Sequence, residues 1–465
     1  MRRWFRQPFG AWWLRSAATA RSRGAAAGKS RPPLQPQVPQ VPVIVIVGGG
    51  FAGSAVARQL ERRLHPGEAE IVLLSRENYT LFTPMLPEVT AGEIEVRHIV
   101  TPVRTELRRT KFVLADVTSI DVNRNRVDFR HVLTGLSETI EYDQLVLALG
   151  SSTSTFGLPG VAEHAWAMKS LEDADALRNR FVWLLELADT LPPGERRRRF
   201  LTIAVVGGGF TGVETAGEMV ELFRSVLRFY PQLTLDEVRV VLLEAGTSLL
   251  AGLPPKMGEY SKRNLERRGV EVIFGDGVAS ADENGLTLQS GRRIETATIV
   301  WSAGVAPSPS IAQTGLPTTQ RGAVVTRQDM RVGTVPNVWA LGDCASIPDG
   351  EGGAHPMTAQ HAIREGPHLA DNIVATLRGE PTKPFRFRSL GMMASLGARR
   401  AVAQLPGDRV LVGFAAWFLW RSYYLLRLPG LDRKLRVAFD WTLDLIFPRD
   451  IAELRMRAQR PPDAG

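Results

Sequence analysis

Twice along the chain a run of apolar, mostly β-branched residues ends at a cluster of glycines, and a segment with helix-like patterning follows. The first copy is VPVIVIVGGGFAGSAVARQL, residues 41–60, and the second is LTIAVVGGGFTGVETAGEMV, residues 201–220. Each reads as strand, tight turn, helix. Further apolar runs predict strands at EIVLLSRENY (70–79), YDQLVLALG (142–150), VRVVLLEAG (238–246), ATIVWSAGVAPSPS (297–310) and VPNVWALGDCASIPD (335–349). The segment HPMTAQHAIREGPHLADNI (355–373) reads as a helix, so residues 43–380 form a mixed α/β pattern. From 381 to 465 the chain turns Arg- and Trp-rich and the alternation of strand and helix ceases.

The glycines in both copies are spaced G-x-G-x-x-G, the pattern of a dinucleotide-binding turn. Gly48 makes the turn, Gly50 leaves room for a pyrophosphate against the backbone, and Gly53 lets helix and strand pack closely; Gly207, Gly209 and Gly212 stand in the same places. A helix N-terminus then turns free N–H groups toward the phosphates. Two such sites in one chain imply two redox cofactors that exchange electrons. An internal duplication with one silent copy is the plainer alternative.

Charge separates the ends from the middle. The net charge of +9 arises because residues 1–42 carry eight basic residues and no acid, and residues 381–465 carry fifteen basic against seven acidic, which leaves the body at −7. Basic ends beside aromatic and apolar residues fit an anionic lipid surface better than a nucleic acid, for which no motif is present. Residues 1–42 read as a basic extension or targeting segment, and a mitochondrial-type presequence and a bacterial extension fit equally. The single cysteine, Cys344, rules out a disulfide framework, a dithiol relay and a Cys-cluster metal site, and reads as a small packed residue.

The two glycine units, LALG, WSAG and the late ALGDC together resemble the two-dinucleotide-binding flavoprotein disulfide-reductase superfamily. The stretches NYTLFTPMLPEVTAGEIEVRHIVTPVR (78–104), GGGFTGVETAGE and TAQHAIREG (358–366), with the aromatic tail at 413–447, are similar to type II, or alternative, NADH:quinone oxidoreductases. The resemblance covers about residues 43–450. It implies two Rossmann-like domains, the second inserted in the first: FAD on 43–160 with 305–380, NADH on 161–304, and a C-terminal membrane-associating region at 381–465.

The resemblance also implies roles. Asp343 approaches the flavin ribityl chain or pyrophosphate, or is a helix cap. The place of an acid on the FAD adenosine ribose is held here by Ser75 or Arg76, with Glu77 as a substitute. Glu244, ending VVLLEAG, accepts from the ribose hydroxyls of the second dinucleotide and favours NADH over NADPH. Glu214, one helical turn before Glu218, lies near nicotinamide and quinone and steers protons. Gln360 matches the glutamine beside the quinone head group. His361, Arg364 and Glu365 read alternatively as a solvated helix face, His361 above all. No metal is required.

The tail VLVGFAAWFLW (410–420) is too short for a membrane span, which needs roughly 20 residues. With Leu435–Phe447 and Arg409, Arg421, Arg427, Arg433, Lys434 and Arg436 it reads as helices lying in the lipid interface and separable from the FAD- and NADH-binding body; packing or homodimerisation through the same region is the other reading. The expected activity is non-electrogenic NADH oxidation through FAD with reduction of a membrane quinone, as a peripheral enzyme on the cytoplasmic face of a bacterial inner membrane, or on the mitochondrial inner membrane if residues 1–42 are a presequence. A soluble NADH-dependent reductase of an iron–sulfur protein and a redox-gated interaction partner are the rivals. Sulfide:quinone chemistry would need a cysteine pair.

Overall fold

The computed structural model describes residues 41–333 and 335–453; the sequence readings for 1–40 and 454–465 lie outside them. Strand β1 (Val43–Val47) leads through the first glycine turn into helix α1 (Phe51–Arg63) and strand β2 (Glu70–Ser75). A short helix, α2 (Leu86–Thr90), comes next. Strands β3 (Lys111–Asp121), β4 (Arg126–His131) and β5 (Ser137–Glu141) form an antiparallel meander, and β6 (Gln144–Leu147) returns beside β1. β1 is therefore paired in parallel on both sides, Ile44 opposite Ile71 and Gln144, which is why its apolar run is unbroken.

After β7 (Ser151–Thr153) the pattern restarts. The second unit comprises β8 (Ala165–Ala167), α3 (Leu171–Asp189), β9 (Thr202–Val206), α4 (Phe210–Val226), β10 (Arg239–Glu244), α5 (Pro255–Arg267), β11 (Val270–Phe274) and β12 (Thr298–Trp301). Its sheet is parallel throughout, in the order β8-β12-β9-β10-β11. β9 between β10 and β12 repeats β1 between β2 and β6, so LALG and WSAG occupy equivalent strand ends. Helix α3 starts at a reciprocal cap in which Ser170 and Asp173 each accept the other's backbone N–H.

Strand β13 (Val305–Pro307) then pairs antiparallel with β7, binding the outgoing and returning chain together. Strand β14 (Val338–Ala340) joins the first sheet, whose order becomes β14-β6-β1-β2-β3-β4-β5. The second unit is thus inserted in the first. Helix α6 (Ala359–Leu377) closes on α1, with Gly366 so near that a Cβ there would sit 2.6 Å from the Ala55 methyl.

The region after 381 contains more regular structure than its apolar and basic pattern predicts. Strands β15 (Met393–Gly397), β16 (Arg400–Leu405) and β17 (Arg409–Gly413) form an antiparallel sheet, followed by helices α7 (Phe414–Arg427) and α8 (Leu431–Asp444). The apolar stretch 410–420 is therefore half strand and half helix, divided at Gly413, whose φ is +78°. Nor is the region separable. Leu396, Val402, Trp420, Val437 and Trp441 share one core with residues of α3 and α4, and a Cβ on Gly217 would lie 2.3 Å from the Leu396 carbonyl oxygen. Removing it would open that core.

Candidate active site

The two glycine turns are superposable in their constraints. Gly48 and Gly207 have φ of +110° and +109°, and their N–H groups donate to Leu74 and Leu243 at 2.8 and 2.7 Å. A Cβ on Gly53 would be 1.9 Å from the Gly48 carbonyl oxygen, and one on Gly212 would be 1.8 Å from that of Gly207. These glycines fix the turn itself. Gly50 and Gly209 differ: each has an ordinary extended backbone, caps α1 or α4 without a side chain, and faces open space that a Cβ would enter. An uncapped helix start with an open cradle fits a pyrophosphate.

At the strand ends the two units diverge. Glu244 takes the Gly208 and Gly246 N–H groups, both at 2.6 Å, so its carboxylate is fixed beside the second turn. Ser75 occupies the matching place, buried against Gly49, whose Cβ would lie 2.7 Å from the Ser75 hydroxyl. Arg76 turns outward, 4.0 Å from Asp116. Here the first unit has room for a hydroxyl where the second has a carboxylate.

Asp343 lies in a 3-10 turn and accepts the Ser151 hydroxyl at 2.7 Å. Lys169 donates to Ser151 at 2.8 Å and stands 3.8 Å from the Asp343 carboxylate. Lys169 went unnoticed in the sequence because only the fold brings it across 174 residues to ALGDC. Glu365 takes the Gly342 N–H at 2.7 Å, and burial pushes its carboxyl up to about 7. Cys344 is buried and donates to backbone carbonyls, and burial raises its thiol to about 11, away from nucleophilic use.

A cavity of about 440 Å³ lies between the starts of α1, α4 and α6. Phe51 and Phe210 reach it from the starts of α1 and α4, Lys169 and Trp301 from the second unit, and Thr358 and Gln360 from the start of α6; Met392, Tyr423 and Tyr424 close it from the C-terminal region. Gln360 donates to the Ser389 hydroxyl at 2.9 Å and, at longer range, to the Met392 sulfur. Glu214 lines the same cavity, where its carboxylate takes the Ser395 N–H at 3.0 Å. Burial pushes that carboxyl up to about 8, more than the Ser395 bond pulls it down, and Glu218 adds to the rise.

Two readings of the α6 surface need correction. His361 is buried rather than solvated, bonded to Thr358 at 2.7 Å and packed on Phe387 and His355; burial, with His355 and Arg364 nearby, lowers its ring to about 4. Glu365 is buried too. Helical spacing put both beside exposed residues, but α1 and the segment around Phe385 and Phe387 cover that face.

The profile of the pyridine nucleotide-disulphide oxidoreductase family matches residues 42–366, and the profile of the NDH2 C-terminal domain matches residues 390–450. The type II NADH:quinone oxidoreductase of Mycobacterium tuberculosis is 34% identical over 428 residues, covering 89% of this chain and 90% of that one. The chain belongs to the type II NADH:quinone oxidoreductases. Its activity is the oxidation of NADH with reduction of a quinone, and FAD is the internal carrier. Another member of comparable coverage is the internal alternative NAD(P)H-ubiquinone oxidoreductase A1, mitochondrial, of Arabidopsis thaliana, 30% identical over 443 residues, 89% of this chain and 86% of that one. The structure of Plasmodium falciparum NDH2 with NADH shares the fold, with a TM-score of 0.81 at 20% identity, over 89% of this chain and 100% of that one.

Proposed function

We propose a residue-level division of labour for this type II enzyme. FAD is held by residues 43–160 and 305–380, with its pyrophosphate at Gly50, its adenosine ribose toward Ser75 and its ribityl chain toward Asp343. NADH is held by residues 161–304, with its pyrophosphate at Gly209 and its ribose on Glu244. Held there, FAD would supply the two-electron exchange that links nicotinamide to quinone.

The protein's own groups do the rest. Glu244 is an acceptor held in place by two backbone donors, which suits ribose hydroxyls and repels a 2′-phosphate. Gln360, steadied by Ser389, presents its amide to a quinone oxygen. Glu214, with its carboxyl raised to about 8, carries a proton at neutral pH and gives it to the reduced quinone. Phe51, Phe82 and Tyr424, stacked edge to face at 5.9 and 5.8 Å, keep water from the ring's apolar side.

The observation that carries this reading is that one helix serves two surfaces. α7 gives Leu419, Tyr423 and Tyr424 to the cavity wall while Phe418 and Leu426 on the same helix stand 62% and 72% exposed. α8 continues the apolar row with Leu431, Leu435 and Phe439. No helix among the described residues is long and apolar enough to cross a membrane. The row supports docking on an anionic membrane face from which quinone enters directly; the cytoplasmic face of a bacterial inner membrane, or the mitochondrial inner membrane, suits a quinone reductase. Homodimerisation would use the same row.

The test is the Gln360→Leu variant, assayed with NADH and two acceptors. Quinone turnover is expected to fall at least tenfold while NADH-to-ferricyanide turnover holds. Equal loss of both would move the quinone elsewhere.

A further inference from the structure

Further along the same face of α4 lies a second cavity of about 290 Å³ that the assigned roles leave unused. Its walls are polar and its mouth is marked by the exposed Arg224 and Arg399. Inside it are Glu88 from α2, Glu93 from the turn that follows, and Glu218 from α4, all buried. Glu218 is one helical turn from Glu214, which lines the first cavity. The helix therefore carries a carboxyl into each cavity.

Two arginines of the C-terminal region enter the same space. Arg449 bridges Glu93 at 3.1 Å and Glu218 at 3.2 Å with one nitrogen, and holds Asp444 at 3.1 Å with another. Arg421 pairs with the other oxygen of Glu93 and lies between the Trp417 and Trp441 rings. Arg421 is thus an internal counter-ion, not one of the surface cations that its sequence neighbourhood implies. Glu221 is held from outside by Arg268 and Arg224.

The charges do not balance. Four buried carboxyls, Glu88, Glu93, Glu214 and Glu218, face two guanidiniums, the buried Arg449 and the partly buried Arg421, and Glu88 Oε2 has no hydrogen-bond partner among the described residues. Buried carboxyls without counter-ions take up protons. Glu93 is pushed up to about 8 by burial and then by Glu218, against the pull of Arg449 and Arg421. Glu88 is raised well above the ordinary carboxyl range too, by burial first and then by Glu93, with Glu218 and Glu214 adding to it against the pull of Arg421. The charges of Glu218 and Glu214 both act on Glu88, and that of Glu218 on Glu214, so the two cavities are electrostatically joined.

The family's reaction needs such a supply. NADH gives a hydride, and a quinone that ends as a quinol takes two hydrogens, so each turnover consumes one proton from water: NADH + H⁺ + Q gives NAD⁺ + QH₂. We propose that this proton enters through the second cavity and passes along Glu93, Glu88 and Glu218 to Glu214, with Arg449 as the positioning residue that holds the carboxyls in line. The proposal rests on Glu214 serving the quinone pocket. Each transfer shifts a proton between carboxyls, so the cluster regains its starting charge when Glu93 is reprotonated from the cavity mouth.

The test uses the full-length, FAD-loaded enzyme in detergent, with a water-soluble quinone and with ferricyanide, which takes electrons and no proton. In the unaltered protein the quinone step is expected to slow as pH rises through about 8 and to show a solvent deuterium isotope effect, with the ferricyanide rate flat. Glu88→Gln should lower quinone kcat about tenfold at unchanged quinone KM, with NADH still bleaching the flavin at the normal rate, and Glu88→Asp should restore part of the loss. A quinone step in the unaltered enzyme that shows neither isotope effect nor pH dependence overturns the proposal, whatever the variants do. Normal quinone turnover in both Glu88→Gln and Glu93→Gln overturns it too. If Gln360→Leu has no effect while Glu88→Gln does, Gln360 is not the quinone's partner and the proton route stands; if Glu214→Gln leaves quinone turnover unchanged, the pocket is misassigned and the route falls with it.

Discussion

Glu244 holds the Gly208 N–H at 2.6 Å, so the residue proposed for the NADH ribose also ties β10 to the second glycine turn. A charged hydrogen bond is worth roughly 1.5–3 kcal/mol. Glu244→Gln keeps the shape but loses the charge and turns an amide N–H₂ toward backbone donors. NADH binding is expected to weaken by about an order of magnitude, and the ratio of NADH to NADPH catalytic efficiency to fall by a similar factor. Steady-state kinetics with both nucleotides reads this directly; an unchanged ratio would remove Glu244 from the ribose.

The first glycine turn separates folding from binding within four residues. Gly50 has an extended backbone and faces open space, so Gly50→Val folds but fills the pyrophosphate cradle. It is expected to purify with native-like circular dichroism and without the yellow chromophore. Gly53→Ala puts a methyl 1.9 Å from the Gly48 carbonyl oxygen, where backbone must move. That variant is expected to lose several kcal/mol of stability or to fail to fold. Stoichiometric flavin in Gly50→Val would place the FAD phosphates elsewhere.

The α/β alternation, both glycine turns and the strand ends at Glu244 and Ser75 were legible in the chain because each is a local pattern of a few residues. The insertion was legible only through resemblance, since the pairing of β7 with β13 joins segments about 150 residues apart. His361 and Glu365 were misread because periodicity reports a helix face, not what covers it. The carboxylate cluster was invisible: Glu88, Glu93, Glu218, Arg421 and Arg449 are individually ordinary surface-type residues, and only tertiary packing removes them from water.

Glu214 makes a prediction about stability against pH. Its carboxyl is raised in the folded protein from 4.5 to about 8, so the folded state keeps a proton that the unfolded chain releases. Above 4.5 the unfolded state therefore binds fewer protons, and this group's contribution falls with rising pH until about 8, then levels. Glu214→Gln removes that dependence. The melting temperature of the variant relative to the unaltered protein is expected to climb between pH 5 and 8, while carboxyls remote from Glu214 cancel in the difference. A difference that is flat, or of opposite slope, would mean that Glu214 is ionised in the fold.

The C-terminal helices can be tested without truncation, which the shared core of Trp420 and Trp441 forbids. Phe418, Leu435 and Phe439 are 62%, 63% and 61% exposed, so their replacement by Ser costs little of the fold. Burying each such side chain in a lipid interface is worth about 1.5–3 kcal/mol, so the triple variant is expected to lose vesicle binding by several orders of magnitude. It should still hold FAD and bleach with NADH. Lys434 and Arg436 flank this row, and their change to Gln is expected to weaken binding to anionic vesicles, by about 1 kcal/mol per charge, more than to neutral ones. Sedimentation with the two kinds of vesicle, and light scattering without them, decide between the surfaces the row can meet. A triple variant that still sediments with vesicles but turns from dimer to monomer would give the row to a second copy of the chain and leave the membrane contact to be sought outside α7 and α8.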